Sequence, residues 1–255
     1  MKITTSALAL FASLSCLAQS SAPGRPVFDA ASIHPTDVTQ KARSGVQTSP
    51  GALTMRGQTL RSCIQWAWGV QQFQVEGPDW LNDTRFDIVA RASGDSDESQ
   101  LRLMLRSTLA ERFGLKVHME RKEMPVYALI VTKGGPKLQE TTTEGPPVFG
   151  KDGNRPALTA QRASMKDLAE QISGPLNRPV IDATGLTGRY DIRIDVTPFM
   201  ADPAGVKPES GGDTDVMSTI LFVGMPAQLG LKLETRKDTV DILIVDHSER
   251  MPTAN

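Results

Sequence analysis

The chain has 255 residues, with 28 Lys and Arg against 29 Asp and Glu, and a formal net charge of −1. This balance gives no basic excess of the kind that binds nucleic acid. Hydrophobic residues make up 39% of the chain, which is typical of a globular protein and excludes a wholly disordered one. No apolar run reaches the roughly 20 residues that a transmembrane helix needs. The sequence therefore predicts no membrane span in the mature chain.

Residues 1–18 have the pattern of a secretory signal peptide. Lys2 supplies the positive start, residues 7–17 are apolar and small, and Cys16 and Ala18 occupy the −3 and −1 positions of a cleavage site. The pattern predicts an exported protein, periplasmic or extracellular. A lipid anchor at Cys16 is the alternative.

Cleavage after residue 18 leaves Cys63 as the one cysteine of the mature chain. A single cysteine has no disulfide partner within the chain. Cys63 shares a helical stripe with Leu60, Ile64 and Ala67, and no histidine or cation stands beside it in the sequence. We therefore expect a small buried hydrophobe rather than a reactive thiol.

Two stretches of the chain repeat each other in the same order. The matching pairs are Leu53-Thr54 with Leu158-Thr159, Thr59-Leu60 with Ser164-Met165, Arg85-Phe86-Asp87-Ile88 with Arg189-Tyr190-Asp191-Ile192, and Phe113-Gly114-Leu115 with Leu229-Gly230-Leu231. The repeat predicts a tandem duplication of a βαβ–βαββ unit, with copy one at 53–132 and copy two at 157–247. The predicted fold class is α+β, with helices packed on small, mostly antiparallel or mixed sheets.

Capping residues mark the predicted elements within each unit. Thr59 and Ser164 are predicted N-caps of helices, and Gly114 is the predicted C-cap of a helix with an apolar stripe over 101–113. After Gly114, alternating residues predict a β-hairpin whose turn lies at Arg121–Met124.

The remaining segments are assigned by composition. Residues 19–52 form an N-terminal segment with a strand near 27–34, and residues 248–255 form a C-terminal tail. Residues 133–156 are rich in Gly, Pro, Thr and Glu, which predicts a linker with few buried contacts. Residues 198–215 are a second irregular stretch, and long loops of this kind are either functional or disordered.

Tryptophans set copy one apart from copy two, which has none at the matching positions. The first interpretation is a satellite cluster packed under a loop. The second is an apolar binding patch with a polar rim. The candidate binding residues are Trp66, Trp68, Trp80, Gln71 and Gln72. We place the predicted binding face on copy one.

Catalytic motifs are missing from the sequence, which has no His-Glu-x-x-His, Gly-x-Ser-x-Gly, phosphate-binding loop or Ser-x-x-Lys. We therefore predict no catalytic residue, no metal and no cofactor, and a non-catalytic envelope interaction or sensing module that binds protein, peptide or cell-wall material. The alternative is a hydrolase whose site is assembled between the copies from His34, His118 or His247 with Asp or Glu partners. Asp87 and Asp191 stand at equivalent positions of the two copies, so we expect a structural role, such as pairing with Arg85 or Arg189 or with a cross-strand cation.

Several motifs resemble those of a known family. They are Gly77-Pro78-Asp79-Trp80-Leu81 followed by Arg85 to Ala90, Phe113 to Glu120 running into Pro125 to Leu129, Lys133 to Leu138, and Val180 to Asp191. They are similar to those of the soil-associated protein family, exported bacterial proteins with a domain of unknown function. The resemblance implies export and the architecture above, and no established activity. A weaker likeness is to the short N-terminal domain of secretins and TonB-dependent transducers, which contacts other proteins.

Overall fold

The computed structural model describes residues 25–37, 44–152, 157–200 and 216–253. The α+β class predicted from the sequence is confirmed, because helices pack on three four-stranded sheets. The predicted signal peptide and residues 201–215 of the second irregular stretch lie outside the described residues.

The strands and helices follow one another along both halves of the chain. The strands are β1 (Ala30–Pro35), β2 (Gly45–Ser49), β3 (Ala52–Thr59), β4 (Val75–Glu76), β5 (Arg85–Arg91), β6 (Lys116–Val131), β7 (Gln139–Glu140), β8 (Val148–Lys151), β9 (Ala157–Ala163), β10 (Val180–Asp182), β11 (Tyr190–Asp195) and β12 (Leu231–His247). The helices are α1 (Leu60–Trp68), α2 (Glu98–Phe113), α3 (Met165–Leu176), α4 (Thr197–Met200), α5 (Val216–Thr219) and α6 (Met225–Leu229), and a π-helical turn at Ile220–Gly224 joins α5 to α6.

The first half, residues 30–131, builds an antiparallel sheet in the order β1-β5-β3-β2. Helices α1 and α2 bury their apolar stripes against it, and the predicted stripe of Leu60, Cys63, Ile64 and Ala67 is buried throughout. Phe86 of β5 meets Phe113 of α2 edge to face, with ring centroids 5.1 Å apart. This pair fixes the end of α2 on the sheet.

The predicted caps are confirmed. The Thr59 hydroxyl accepts a hydrogen bond from the Ser62 N–H at 3.1 Å. In the second half, the Ser164 hydroxyl accepts from the Asp167 N–H, and Asp167 accepts from the Ser164 N–H at 2.9 Å, which completes a capping box. Gly114 ends α2 with a left-handed φ of 60°.

The second half, residues 139–247, builds the antiparallel sheet β7-β11-β9-β8 and covers it with α3 and the α5–α6 segment. Two of its strands, β7 and β8, come from residues 133–156, which composition alone assigned to a linker. Both are short edge strands. Strand β7 has two residues and β8 has four, which is too short for an alternating pattern to be recognised in the sequence.

The middle sheet, β10-β6-β12-β4, joins the two halves. Strands β6 and β12 pair antiparallel from Lys116 with His247 to Val131 with Leu231. The predicted turn at Arg121–Met124 is therefore wrong: those residues pair in register with β12. They offer no glycine, asparagine or aspartate for a turn, and they continue a strand that pairs with β12 along its length.

Each half also places a short strand beside the long strand of the other. Val75 of β4 pairs parallel with Leu243 of β12, and Val180 of β10 pairs parallel with Tyr127 of β6. The middle sheet is therefore mixed, whereas the outer two are antiparallel. This reciprocal arrangement is what the predicted duplication would produce, and the duplication itself stays a prediction.

Asp87 and Asp191 each bind the neighbouring strand of their own sheet, a structural role as expected, but with partners other than those expected. Their carboxylates accept hydrogen bonds from the backbone N–H groups of Gly57 and Arg162. Both partners have a positive φ at a break in strand register. The predicted ion pair with a neighbouring arginine is replaced because a bulge leaves a backbone donor to be satisfied.

Candidate functional site

A cavity of about 310 Å³ lies between the β7-β11-β9-β8 sheet and the helices of the second half. Apolar side chains dominate its lining, and one charged residue takes part. The lining residues are Phe149, Gly150, Lys151, Leu158, Thr159, Ala160, Leu168, Gln171, Ile172, Pro175, Ile192, Ile194, Met217, Leu221 and Met225.

A small residue at the centre of the sheet keeps this space open. Ala160 of β9 pairs with Phe149 on one side and Ile192 on the other. In the first sheet the position with the matching neighbours is Met55, which pairs with Val46 and Ile88 and is fully buried. The second half has a methyl group where the first half has a long thioether side chain.

One end of the cavity meets an open polar depression of about 460 Å³. Phe149, Gln171 and Pro175 line both. Because Pro175 has no N–H, the usual helical bond from that position to the Gln171 carbonyl is missing. The shared rim combines the aromatic ring of Phe149 with the side-chain amide and the backbone carbonyl of Gln171.

Two carboxylates stand in the depression, on Asp167 and Glu170. The hydrogen bond from the Ser164 hydroxyl, at 2.7 Å, is the main cause that lowers the pKa of Asp167 below its ordinary value. Asp167 is therefore ionised at neutral pH. Glu170 lies 3.9 Å from Lys166 of the same helix, a loose contact that leaves the depression acidic.

Gln71, one of the predicted binding residues, lies in this depression. Its side-chain oxygen approaches α3 so closely that a Cβ added to Gly174 would lie 3.2 Å from it. Gln72 is exposed on the short 3₁₀ turn that follows. The structure thus places Gln71 in the second-half depression, whose lining includes none of the three tryptophans with which it was grouped.

The tryptophans Trp66, Trp68 and Trp80 are half-buried and pack on the core of the first half. An arginine guanidinium lies over each ring, Arg102 at 4.8 Å from the Trp66 centroid and Arg106 at 5.1 Å from that of Trp68. Trp80 lies under Arg250 in the same way. Each ring therefore has one face covered by a cation.

Two of these arginines also bind the end of α1. Arg102 Nη1 donates to the carbonyl of Trp66 at 2.5 Å, and Arg106 Nε donates to that of Ala67 at 2.8 Å. Carbonyls at a helix C-terminus have no intrahelical donor and carry partial negative charge. This geometry supports the packing interpretation of Trp66 and Trp68, and the binding-patch interpretation stays a prediction.

The histidines make separate pairs. His34 contacts the Ser32 hydroxyl at 2.7 Å, His118 contacts Asp246 at 2.9 Å, and His247 contacts Glu249 at 3.2 Å. All three imidazoles are exposed. In residues 25–37, 44–152, 157–200 and 216–253, no three or more His, Cys, Asp or Glu side chains form a group that could hold a metal ion. The alternative of a hydrolase site between the halves stays a prediction.

Phe149 and Lys151 were missed in the sequence because they fall in the predicted linker. The repeat contained one usable signal, since Ala160 stands where copy one has Met55. A small residue replacing a large one at a predicted core position is the pattern that leaves a cavity.

A family model described as "Protein of unknown function (DUF3738)" matches residues 61–248. That match covers more than half of the chain. The chain belongs to the DUF3738 family. No curated protein and no solved structure matches it. The part shared with the DUF3738 family includes the three tryptophans and every residue that lines the cavity.

The family match confirms the predicted resemblance to a family with a domain of unknown function. The likeness to secretin and TonB-associated domains stays a prediction. Across the residues that the structure describes, none of the helices has the length and apolar character needed to cross a membrane.

Proposed function

We propose that the chain is an exported, non-catalytic binding module that takes an apolar group of its ligand into the second-half cavity. The observation that carries this proposal is the lining, in which 12 of 15 residues have no polar side chain. A volume of about 310 Å³ lies at the lower end of the range typical of small-molecule sites, about 300–1,000 Å³.

Burial of apolar surface would supply the affinity. Each CH₂ group moved from water into such a site contributes about 0.8 kcal/mol, and the three polar lining residues restrict the orientation of the ligand. The cavity would hold about ten water molecules at their liquid volume of about 30 Å³ each. A short alkyl chain is of this size.

Export is supported by the sequence of residues 1–18. A ligand of the envelope, whether a protein, a peptide or cell-wall material, would then meet the site outside the cytoplasm. The tryptophan face on copy one is a second candidate contact surface.

The proposal is tested with a neutral alkanol series, from butan-1-ol to octan-1-ol. The protein is produced by export, its N-terminus is determined by mass spectrometry, and its methionine methyl groups are labelled with ¹³C. We expect titration to shift the signals of Met217 and Met225, which line the cavity, and to leave that of Met55 unchanged. Affinity should rise about fourfold for each added CH₂ until the cavity is full.

The matched variant is Ala160→Met, which introduces the residue found at the corresponding place in the first sheet. It should weaken binding of octan-1-ol far more than binding of butan-1-ol. Val89→Met adds the same side chain at an exposed position of β5 and should change neither affinity. Equal affinities for all the alcohols, or no response at Met217 and Met225, would contradict the proposal.

A further inference from the structure

Lys151 is the one charged side chain among the 15 residues that line the cavity. It lies on β8, two residues after Phe149, and both point to the same face because side chains alternate along a strand. Two residues of an antiparallel strand span about 7 Å. Phe149 reaches the polar depression and Lys151 does not, so Lys151 marks the other end of the cavity.

The Lys151 ammonium is available to a ligand. The carboxylate beside it in the sequence, Asp152, is bound by the guanidinium of Arg193. Within the described ranges, which omit residues 153–156, no carboxylate lies within ion-pair distance of Lys151. Lys151 lines the cavity and is exposed, and a lysine at the edge of an apolar site usually packs its aliphatic stem on that site and keeps its ammonium in water.

The two ends of the cavity therefore differ in charge. Asp167 and Glu170 stand in the depression beyond Phe149, and Lys151 stands at the far end. An anion at the first end would face two carboxylates, whereas at the second it would face an ammonium. A ligand with one negative group and one apolar chain has a single favourable orientation.

We infer that the ligand of this cavity is an apolar chain that ends in a carboxylate, with the carboxylate at Lys151 Nζ and the chain directed toward Phe149 and Gln171. This inference rests on the proposed function and specifies its substrate class. Lys151 is the specificity-determining residue, and the aliphatic side chains between the two ends bind the chain.

Three probes of equal chain length test the inference: octanoate, octan-1-ol and octyltrimethylammonium. Their affinities are measured by calorimetry at neutral pH and low salt, below any micelle-forming concentration. We expect octanoate to bind about fivefold more tightly than octan-1-ol, the upper range for a partly exposed ion pair, and the cation to bind most weakly. Raising the salt concentration should reduce the advantage of octanoate.

Lys151→Met keeps an unbranched side chain and removes the charge. It should reduce octanoate binding to the level of octan-1-ol and leave octan-1-ol unchanged. Lys116→Met, on the exposed start of β6, is the matched control and should alter neither. The far-ultraviolet circular dichroism of each variant checks that it is folded.

The outcomes separate the inference from the proposed function. If octan-1-ol binds as tightly as octanoate, if the cation binds most tightly, or if Lys151→Met changes nothing, the inference is overturned. The proposed function survives that result as long as Ala160→Met weakens the probes that bind. If none of the three probes binds, the proposed function itself fails.

Discussion

The Asp87 carboxylate accepts a hydrogen bond from the backbone N–H of Gly57 at 2.7 Å. Arg85, two residues earlier on β5, donates to the carbonyl of the same glycine at 2.7 Å. Gly57 has a φ of +59° and lies at the bulge of β3. One Arg-x-Asp motif therefore binds both backbone groups of a left-handed residue in the neighbouring strand.

The second half contains the same arrangement around Arg162, whose φ is +55°. Its N–H donates to Asp191 at 2.9 Å, and its carbonyl accepts from Arg189 at 2.8 Å. This explains in physical terms why the Arg-(Phe/Tyr)-Asp-Ile sequence occurs in both halves. The motif secures a bulge that sets how each sheet bends beneath its first helix.

Replacing the Asp87 carboxylate should destabilise the first half. Asp87→Ala leaves the Gly57 N–H without its acceptor, and we expect the free energy of unfolding to fall by about 1–3 kcal/mol. Asp87→Asn keeps an acceptor oxygen and the side-chain shape, so it should lose less. Urea unfolding of the two variants measures the difference. An alanine variant within about 0.5 kcal/mol of the parent would show that the bond contributes nothing.

The left-handed conformation itself gives a second prediction. Gly57→Ala places a Cβ 2.9 Å from the Ser44 hydroxyl in a backbone region that L-residues avoid. We expect a loss of about 1–2 kcal/mol in the free energy of unfolding. Arg162→Gly makes the opposite change at the corresponding bulge and should shift stability by less than about 1 kcal/mol. Thermal unfolding tests both, and an unaffected Gly57→Ala variant would contradict the account.

Substitution of Trp66 distinguishes the packing interpretation from the binding-patch interpretation. Its ring is half-buried on the first core and lies under Arg102, so Trp66→Ala should cost about 1–3 kcal/mol, less than a fully buried aromatic. Trp66→Phe should recover most of that loss. If Trp66→Ala leaves stability unchanged and reduces the capture of an envelope partner, the ring belongs to a binding surface instead.

Burial raises the pKa of the Cys63 thiol to about 12. At pH 8 only about one thiol in ten thousand would be ionised, and the thiolate is the reactive form. We expect no labelling of the native protein by an aromatic disulfide reagent and one equivalent of labelling in urea. Rapid stoichiometric labelling of the native protein would show that the thiol is exposed. This test also decides between the buried hydrophobe and a reactive site.

Local sequence signals predicted much of the fold. The hydroxyls of Thr59 and Ser164 and the glycine at 114 are chemical caps whose partners lie within a few residues. Such contacts can be identified without knowing the rest of the chain. The stripe around Cys63 was correct for the same reason, because one period describes one buried face.

Contacts between distant residues were beyond the sequence. Arg121 pairs with Asp241 across the middle sheet, and nothing near Arg121 indicates a partner 120 residues away. The predicted hairpin paired the two segments on either side of Arg121–Met124 with each other, because they are adjacent in the sequence. The cavity was missed for a related reason: the change from Met55 to Ala160 indicates missing volume, but the side chains that line that volume, such as Phe149, come from a segment that composition assigned to a linker.

The most direct test of the ligand site is a crystal structure of the exported protein with 8-bromooctanoate, using the anomalous signal of bromine to locate the end of the chain. We expect a bromine inside the second-half cavity, near Phe149 and Pro175, and a carboxylate at Lys151. Bromine at the Trp66–Trp68 face, or none in the cavity of crystals saturated with the ligand, would contradict it.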